Sequence, residues 1–145
     1  MKSSGTFKVL VVDDELVNRT ILEDFLGQAA LCAKAENGAE AVEFFRQALD
    51  NGDPFDLVLM DIMMPGIDGF LAMQEIRSLE RERNVLSPVK AIMVTALSGS
   101  KNVFDAYSRC QCNGYLEKPL DKSVFQQLIS NLFPEIFALS SHEST

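Results

Sequence analysis

Four places along the chain put a reactive polar side chain at the end of an apolar run. Asp13 and Asp14 follow FKVLVV, Asp61 follows FDLVLM, Thr95 follows VKAIMV, and Lys118 follows YLE. Three gathered carboxylates repel one another unless a cation sits among them. Oxygen ligands suit a hard ion, and Mg2+ commonly takes one or two carboxylates, waters and a substrate phosphate. A hydroxyl and an ammonium offer donors for further phosphate oxygens. A carboxylate can also attack phosphorus and hold it covalently, while a metal and an ammonium stabilise charge on the transferring group. Asp61 is the candidate acceptor. Residues 55–60, uncharged except for Asp56, read as a strand buried on both faces, and the chain breaks soon after at Pro65 and Gly66. In an open parallel sheet, ligand chemistry sits at the carboxyl ends of strands.

The elements that must position these groups alternate between strand and helix. Strands are expected at 7–12, 31–36, 55–60, 89–95 and 115–117. The first helix shows Val17, Ile21, Leu22, Phe25 and Leu26 on one face and ends near Gly27. The second starts from Asn37, a good N-cap, carries Ala41, Val42, Phe45 and Leu49, and ends at Asn51 and Gly52. The third follows Asp68 and Gly69, read as turn and N-cap chemistry, and carries Phe70, Met73, Ile76 and Leu79. Its far end, residues 80–83 (ERER), reads as a solvated charged turn. A loop at 98–100 leads to a short fourth helix with Val103, Phe104, Ala106 and Tyr107. The fifth helix offers two rows, Val124, Leu128 and Leu132 beside Phe125, Ile129 and Phe133, and Pro134 stops it. Five strand–helix repeats imply an α/β fold, a parallel sheet with helices on both faces. The expected domain spans 6–134, with flexible tails at 1–5 and 135–145.

The 145 residues suffice for one domain with one core. Being 47% hydrophobic and 23% charged, the chain reads as ordinary globular protein. A net charge of −8 argues against nonspecific binding to nucleic acid or anionic lipid. No apolar run reaches spanning length and no signal-peptide pattern opens the chain, so a cytoplasmic location is expected. Cys32, Cys110 and Cys112 lack the spacing of redox or zinc motifs, and the only histidine, His142, lies in the polar tail. Small buried or half-buried thiols are the expectation. The Met60, Met63, Met64, Met73 and Met93 set reads as core and loop filling.

Taken jointly, VVDDE at 11–15, LMDIMMPGIDG at 59–69, VTA at 94–96 and YLEKP at 115–119 resemble the receiver domain of two-component response regulators (CheY-like). The motifs span nearly the whole chain, each after a strand. The resemblance implies a (βα)5 flavodoxin-like three-layer fold, five parallel strands in the order 2-1-3-4-5. It implies that Asp61 accepts a phosphoryl group from a phosphohistidine on a sensor histidine kinase or a histidine phosphotransfer protein. Asp14, Asp61 and the backbone carbonyl of Met63 would bind Mg2+ directly, with Asp13 assisting through water. Lys118 would pair with the acylphosphate, and Lys118–Pro119 would be a cis peptide. The Thr95 hydroxyl and Ala96 N–H would take up the phosphoryl group, and Tyr115 would move into the space Thr95 leaves, a bistable pair biased by phosphorylation. The output face would be the fourth helix, fifth strand and fifth helix. It would address a downstream protein or an attached output domain, or form a phosphorylation-dependent homodimer. Neither nucleic acid nor membrane would be bound directly. Autophosphorylation and autodephosphorylation would be the only activities.

Met63, two residues after Asp61, and Leu97, two after Thr95, should flank the phosphoryl group and govern water access. Both are apolar, which predicts slow hydrolysis. Plainer readings make the acids and Lys118 a structural ion-pair network and Thr95 a strand cap. One competing family, phosphatases of the haloacid-dehalogenase type, also uses an Asp nucleophile with Mg2+, Thr and Lys. It wants a second Asp two residues after the nucleophile, where this chain has Met63, and its acidic pair comes late rather than early. A degenerate receiver used only for binding is disfavoured by the intact Asp and Lys set. A dinucleotide site lacks its Gly-rich turn. A receiver excised from a hybrid histidine kinase or a multidomain regulator would carry the same motifs.

Overall fold

The computed structural model describes residues 6–97 and 99–136. Of the tails expected at 1–5 and 135–145, residues 1–5 and 137–145, with His142, lie outside the described residues, as does Ser98 in the loop at 98–100. Five strands, β1 (Phe7–Val12), β2 (Ala30–Ala35), β3 (Leu57–Met60), β4 (Lys90–Thr95) and β5 (Gly114–Glu117), form one sheet in the order β2-β1-β3-β4-β5. All four neighbouring pairs are parallel. Five helices connect and flank them: α1 (Leu16–Leu26), α2 (Gly38–Asp50), α3 (Gly69–Glu82), α4 (Ser100–Cys110) and α5 (Lys122–Leu132). A short 3-10 turn, Gly27–Ala29, lies between α1 and β2.

The period of two along each strand divides the core in two. Leu10, Val12, Val58, Met60, Ala91 and Met93 face the side covered by α2, α3 and α4. Val9, Val11, Leu57, Leu59, Ile92 and Val94 face the side covered by α1 and α5. Every residue of β3 is buried, as a central strand with helices on both faces requires. The register brings Val12, Met60 and Met93 level in β1, β3 and β4, so Asp13 and Asp61 leave the sheet side by side.

Several helix faces are rotated from the expected ones. On α1 the buried stripe is Arg19, Leu22 and Leu26, while Val17 is 66% exposed. On α5 the row Phe125, Ile129 and Phe133 is buried and Val124 is exposed; on α4 only Ala106 and Cys110 are buried, with Phe104 and Tyr107 outside. β3 starts at Leu57 rather than 55, because the Asp56 carboxylate accepts the Lys8 N–H at 2.8 Å and closes that end with a side chain.

The end of α3 is not a solvated charged turn. Arg81, Glu82 and Arg83 are exposed, but Arg77 and Glu80 are buried and paired at 2.8 Å. Arg77 also donates to the carbonyls of Val89, Cys110 and Gln111, and Glu80 accepts the Val89 N–H. These two residues fasten the end of α3 to the start of β4 and the C-terminal end of α4. The helix starts follow expectation: Asn37 accepts from Glu40 N–H and Asp68 from Leu71 N–H. Cys110 and Cys112 are buried and Cys32 half-buried, all three as free thiols whose acidity burial suppresses to about 11. Met60, Met64, Met73 and Met93 are buried; Met63 stands out in the β3–α3 loop, 56% exposed. No described helix is long and apolar enough to cross a membrane.

Candidate functional site

The sheet edge where the strands end collects the expected residues. Asp13 leaves β1, Asp61 leaves β3, Thr95 closes β4, and Lys118 follows β5. Asp13, Asp14 and Asp61 each present a carboxylate oxygen, all within 4.8 Å of one another. Asp13 and Asp61 are buried and Asp14 is exposed. The Lys118 ammonium lies between the two buried acids, 2.9 Å from Asp13 Oδ2 and 3.2 Å from Asp61 Oδ2. The Lys118–Pro119 peptide is cis.

Asp13 is restrained on every side. Its N–H donates to the Ala35 carbonyl, its carbonyl accepts from Arg19, and its Oδ1 accepts the Glu15 N–H at 2.9 Å. Asp61 donates its own N–H to Val12 carbonyl and accepts the Met63 N–H on Oδ1 at 3.1 Å. Asp14 differs, since its carboxylate makes no hydrogen bond among the described residues and stands open to solvent.

Burial raises the Asp61 carboxyl above its ordinary value; the charge of Lys118 pulls the other way, and that of Asp13 adds to the rise. Burial alone would lower the Lys118 ammonium, but the hydrogen bond to Asp13 and the negative charges of Asp61 and Asp13 outweigh it and raise it. The ammonium therefore stays charged at neutral pH, beside an Asp61 carboxyl that burial makes harder to ionise. A divalent cation bound by Asp14 and Asp61 would ease that strain, and hard oxygen donors on a partly open edge suit Mg2+.

Thr95 is fully buried, and its Oγ1 accepts the Leu97 N–H at 3.2 Å. Tyr115 is half-buried, with its hydroxyl donating to the Leu97 carbonyl at 3.0 Å. Both proposed switch residues thus hold the same residue, one by its N–H and the other by its C=O. Ala96 is exposed beside them. Arg19, on the buried stripe of α1, was missed by sequence reasoning; its spacing of three and seven from Leu22 and Leu26 was the available signal.

A family model described as the response regulator receiver domain matches residues 9–130. The chemotaxis protein CheY of Halobacterium salinarum is 33% identical over 126 residues, 86% of this chain and 95% of that protein. The probable transcriptional regulator ycf29 of Porphyra purpurea is 33% identical over 86% of this chain, and the sensor protein GacS of Pseudomonas syringae pv. syringae 36% identical over 88%. The chain spans only 54% of the length of ycf29 and 13% of GacS. Among solved structures, the receiver domain of Ssk1 in complex with the histidine phosphotransfer protein Ypd1, from Saccharomyces cerevisiae, superposes with a TM-score of 0.75. It is 26% identical and covers 94% of each chain. The CheX–CheY–BeF3–Mg2+ complex of Borrelia burgdorferi also gives a TM-score of 0.75, at 26% identity, covering 88% of this chain and 89% of that one.

Proposed function

The chain belongs to the response regulator receiver domain family, and from that premise we propose that Asp61 is its phosphoacceptor in a Mg2+-dependent transfer. The observation that carries this is the Asp13, Asp14, Asp61 cluster at one sheet edge with the Lys118 ammonium bridging two of its members. Asp14, Asp61 and the Met63 carbonyl would hold the metal directly, with Asp13 assisting. When bound, the ion neutralises charge on the transferring phosphoryl group.

An Asp61 Oδ attacks phosphorus, the bond from phosphorus to the donor's imidazole nitrogen breaks, and the imidazole, already carrying a proton on its other nitrogen, leaves as the neutral ring. Lys118 is drawn to the new acylphosphate oxygens as charge moves off the Asp61 carboxylate. Ala96 N–H and the Thr95 hydroxyl take the remaining oxygens. Turning Thr95 toward phosphate breaks its bond to Leu97 N–H, and the Leu97 carbonyl that anchors Tyr115 shifts with it. Tyr115 then moves inward, and the face of α4, β5 and α5 changes.

The donor is a histidine kinase or a histidine phosphotransfer protein. GacS is named a sensor protein, and Ssk1 is crystallised on such a phosphotransfer protein. The output is a change in binding to a downstream protein, to an attached domain, or to a second copy. Autophosphorylation from small donors and autodephosphorylation belong to the same reading. The exposed Met63 and half-buried Leu97 cannot orient water with their side chains, which supports slow hydrolysis. Loss of the phosphoryl group within seconds, with no phosphatase present, would contradict that part.

The experiment is labelling by acetyl phosphate. The parent should be labelled with Mg2+ and not in EDTA, and Asp61→Asn should not be labelled. An Asp61→Asn chain labelled like the parent would overturn the assignment. Turnover of ordinary phosphate esters would instead favour the phosphatase reading.

A further inference from the structure

Among the described residues two arginines are buried, and they are partnered differently. Arg77 has the Glu80 carboxylate. Arg19, 8% exposed, has no carboxylate within ion-pair distance among the described residues. Its Nη1 instead donates a 2.6 Å hydrogen bond to the backbone carbonyl of Asp13. Buried charges are ordinarily paired. Here a guanidinium is committed from inside the fold to one peptide oxygen beneath the acidic cluster.

That oxygen belongs to the peptide joining Asp13 to Asp14. A peptide group is planar, so the direction of the Asp13 carbonyl fixes where the Asp14 N–H and Cα begin. The Asp13 side chain has other restraints, from Glu15 N–H, Asn18 and Lys118. The Asp14 carboxylate has none among the described residues, yet it lies within reach of the other two acids. We infer that Arg19 is a positioning residue of the phosphoacceptor site: by fixing the peptide between the two acids, it aims Asp14 at the metal position. The inference rests on the Mg2+-dependent reading above.

Charge and positioning act in opposite directions, which makes the test decisive. If Arg19 were only a nearby cation, its removal would tighten Mg2+ binding by removing repulsion. If it positions Asp14, removal weakens binding, as loss of a group orienting a metal ligand does. Mg2+ dissociation constants are to be measured by calorimetry on the parent, Arg19→Met, Arg19→Lys and Arg77→Met, with unfolding midpoints taken in EDTA. Arg77→Met removes a buried guanidinium at the opposite edge of the sheet, so it reports general destabilisation. Arg19→Met should weaken Mg2+ binding about tenfold. Arg77→Met should leave it near the parent value even where its midpoint falls further. Arg19→Lys keeps the charge but replaces the planar fork with one ammonium, and should lie between Arg19→Met and the parent.

Unchanged or tighter binding in Arg19→Met overturns the inference, as does equal weakening in Arg77→Met. Should Arg19→Met not fold, Arg19→Lys decides, and parental affinity in that variant overturns it. A parent chain that binds no Mg2+ would overturn the functional reading beneath it instead.

Discussion

Asp61 is harder to ionise in the folded chain than in the unfolded one, because burial raises its carboxyl above the ordinary 3.8. Between that value and the raised folded one, the native state binds more protons than the unfolded state. Stability therefore falls as pH rises through that window, and the deficit persists at neutral pH. Asp61→Asn should consequently melt higher than the parent at neutral pH without Mg2+, although on the proposed assignment it would not accept phosphate. The gain should vanish in acid below the unfolded value, as thermal melts across a pH series would show. Gly69 makes a second test at this scale. A Cβ there would collide with the Asp61 carbonyl oxygen and sit 2.7 Å from Ile62 Cα, and neither backbone atom can yield cheaply. Gly69→Ala should destabilise by about 1–3 kcal/mol, as overpacking does, and should slow acetyl phosphate labelling by shifting Asp61. Denaturant titration and labelling rates on the same preparation would check both. Sequence reasoning placed Gly69 in turn and capping chemistry; its close approach to Asp61 becomes visible only once the β3–α3 loop is folded back.

At the scale of elements, α3, β4 and α4 are joined by Arg77 and Glu80. Removing one member of a buried pair strands the other charge and costs about 3–5 kcal/mol. Arg77→Met should fall in that range by urea unfolding, and Arg77→Met with Glu80→Leu should recover part of the loss. Strands, their order of appearance and the residues at their ends were legible because apolar runs and period-two patterns are local properties. The order across the sheet came with the family resemblance. Glu80 was misread, and Arg77 passed over, because charged residues near a helix end ordinarily face water. Their partners are carbonyls and an N–H contributed by Val89, Cys110 and Gln111, which are distant in sequence or separated by a loop. Their spacing of four from Met73 and Ile76 did place them on the buried face of α3, a local signal that was present and passed over. The exposed Val17, Phe104 and Val124 were misread for the converse reason: an apolar residue at helical spacing need not be covered.

For the molecule as a whole, ionising the buried Asp61 carboxyl opposes folding at neutral pH, and a divalent cation bound beside it would relieve that cost. A ligand that binds only the native state stabilises it by mass action, so Mg2+ at about 100 times its dissociation constant should add about 2.7 kcal/mol. The melting temperature should rise with Mg2+ and return to its starting value on chelation. The opposite edge carries the clasp that holds the last carbonyls of α4, whereas the first turn of that helix follows Gly99 with no side-chain cap. A helix clasped at its foot and uncapped at its head is expected to tilt rather than slide when residues 95–97 move, with the wider arc at Phe104 and the narrower at Cys110.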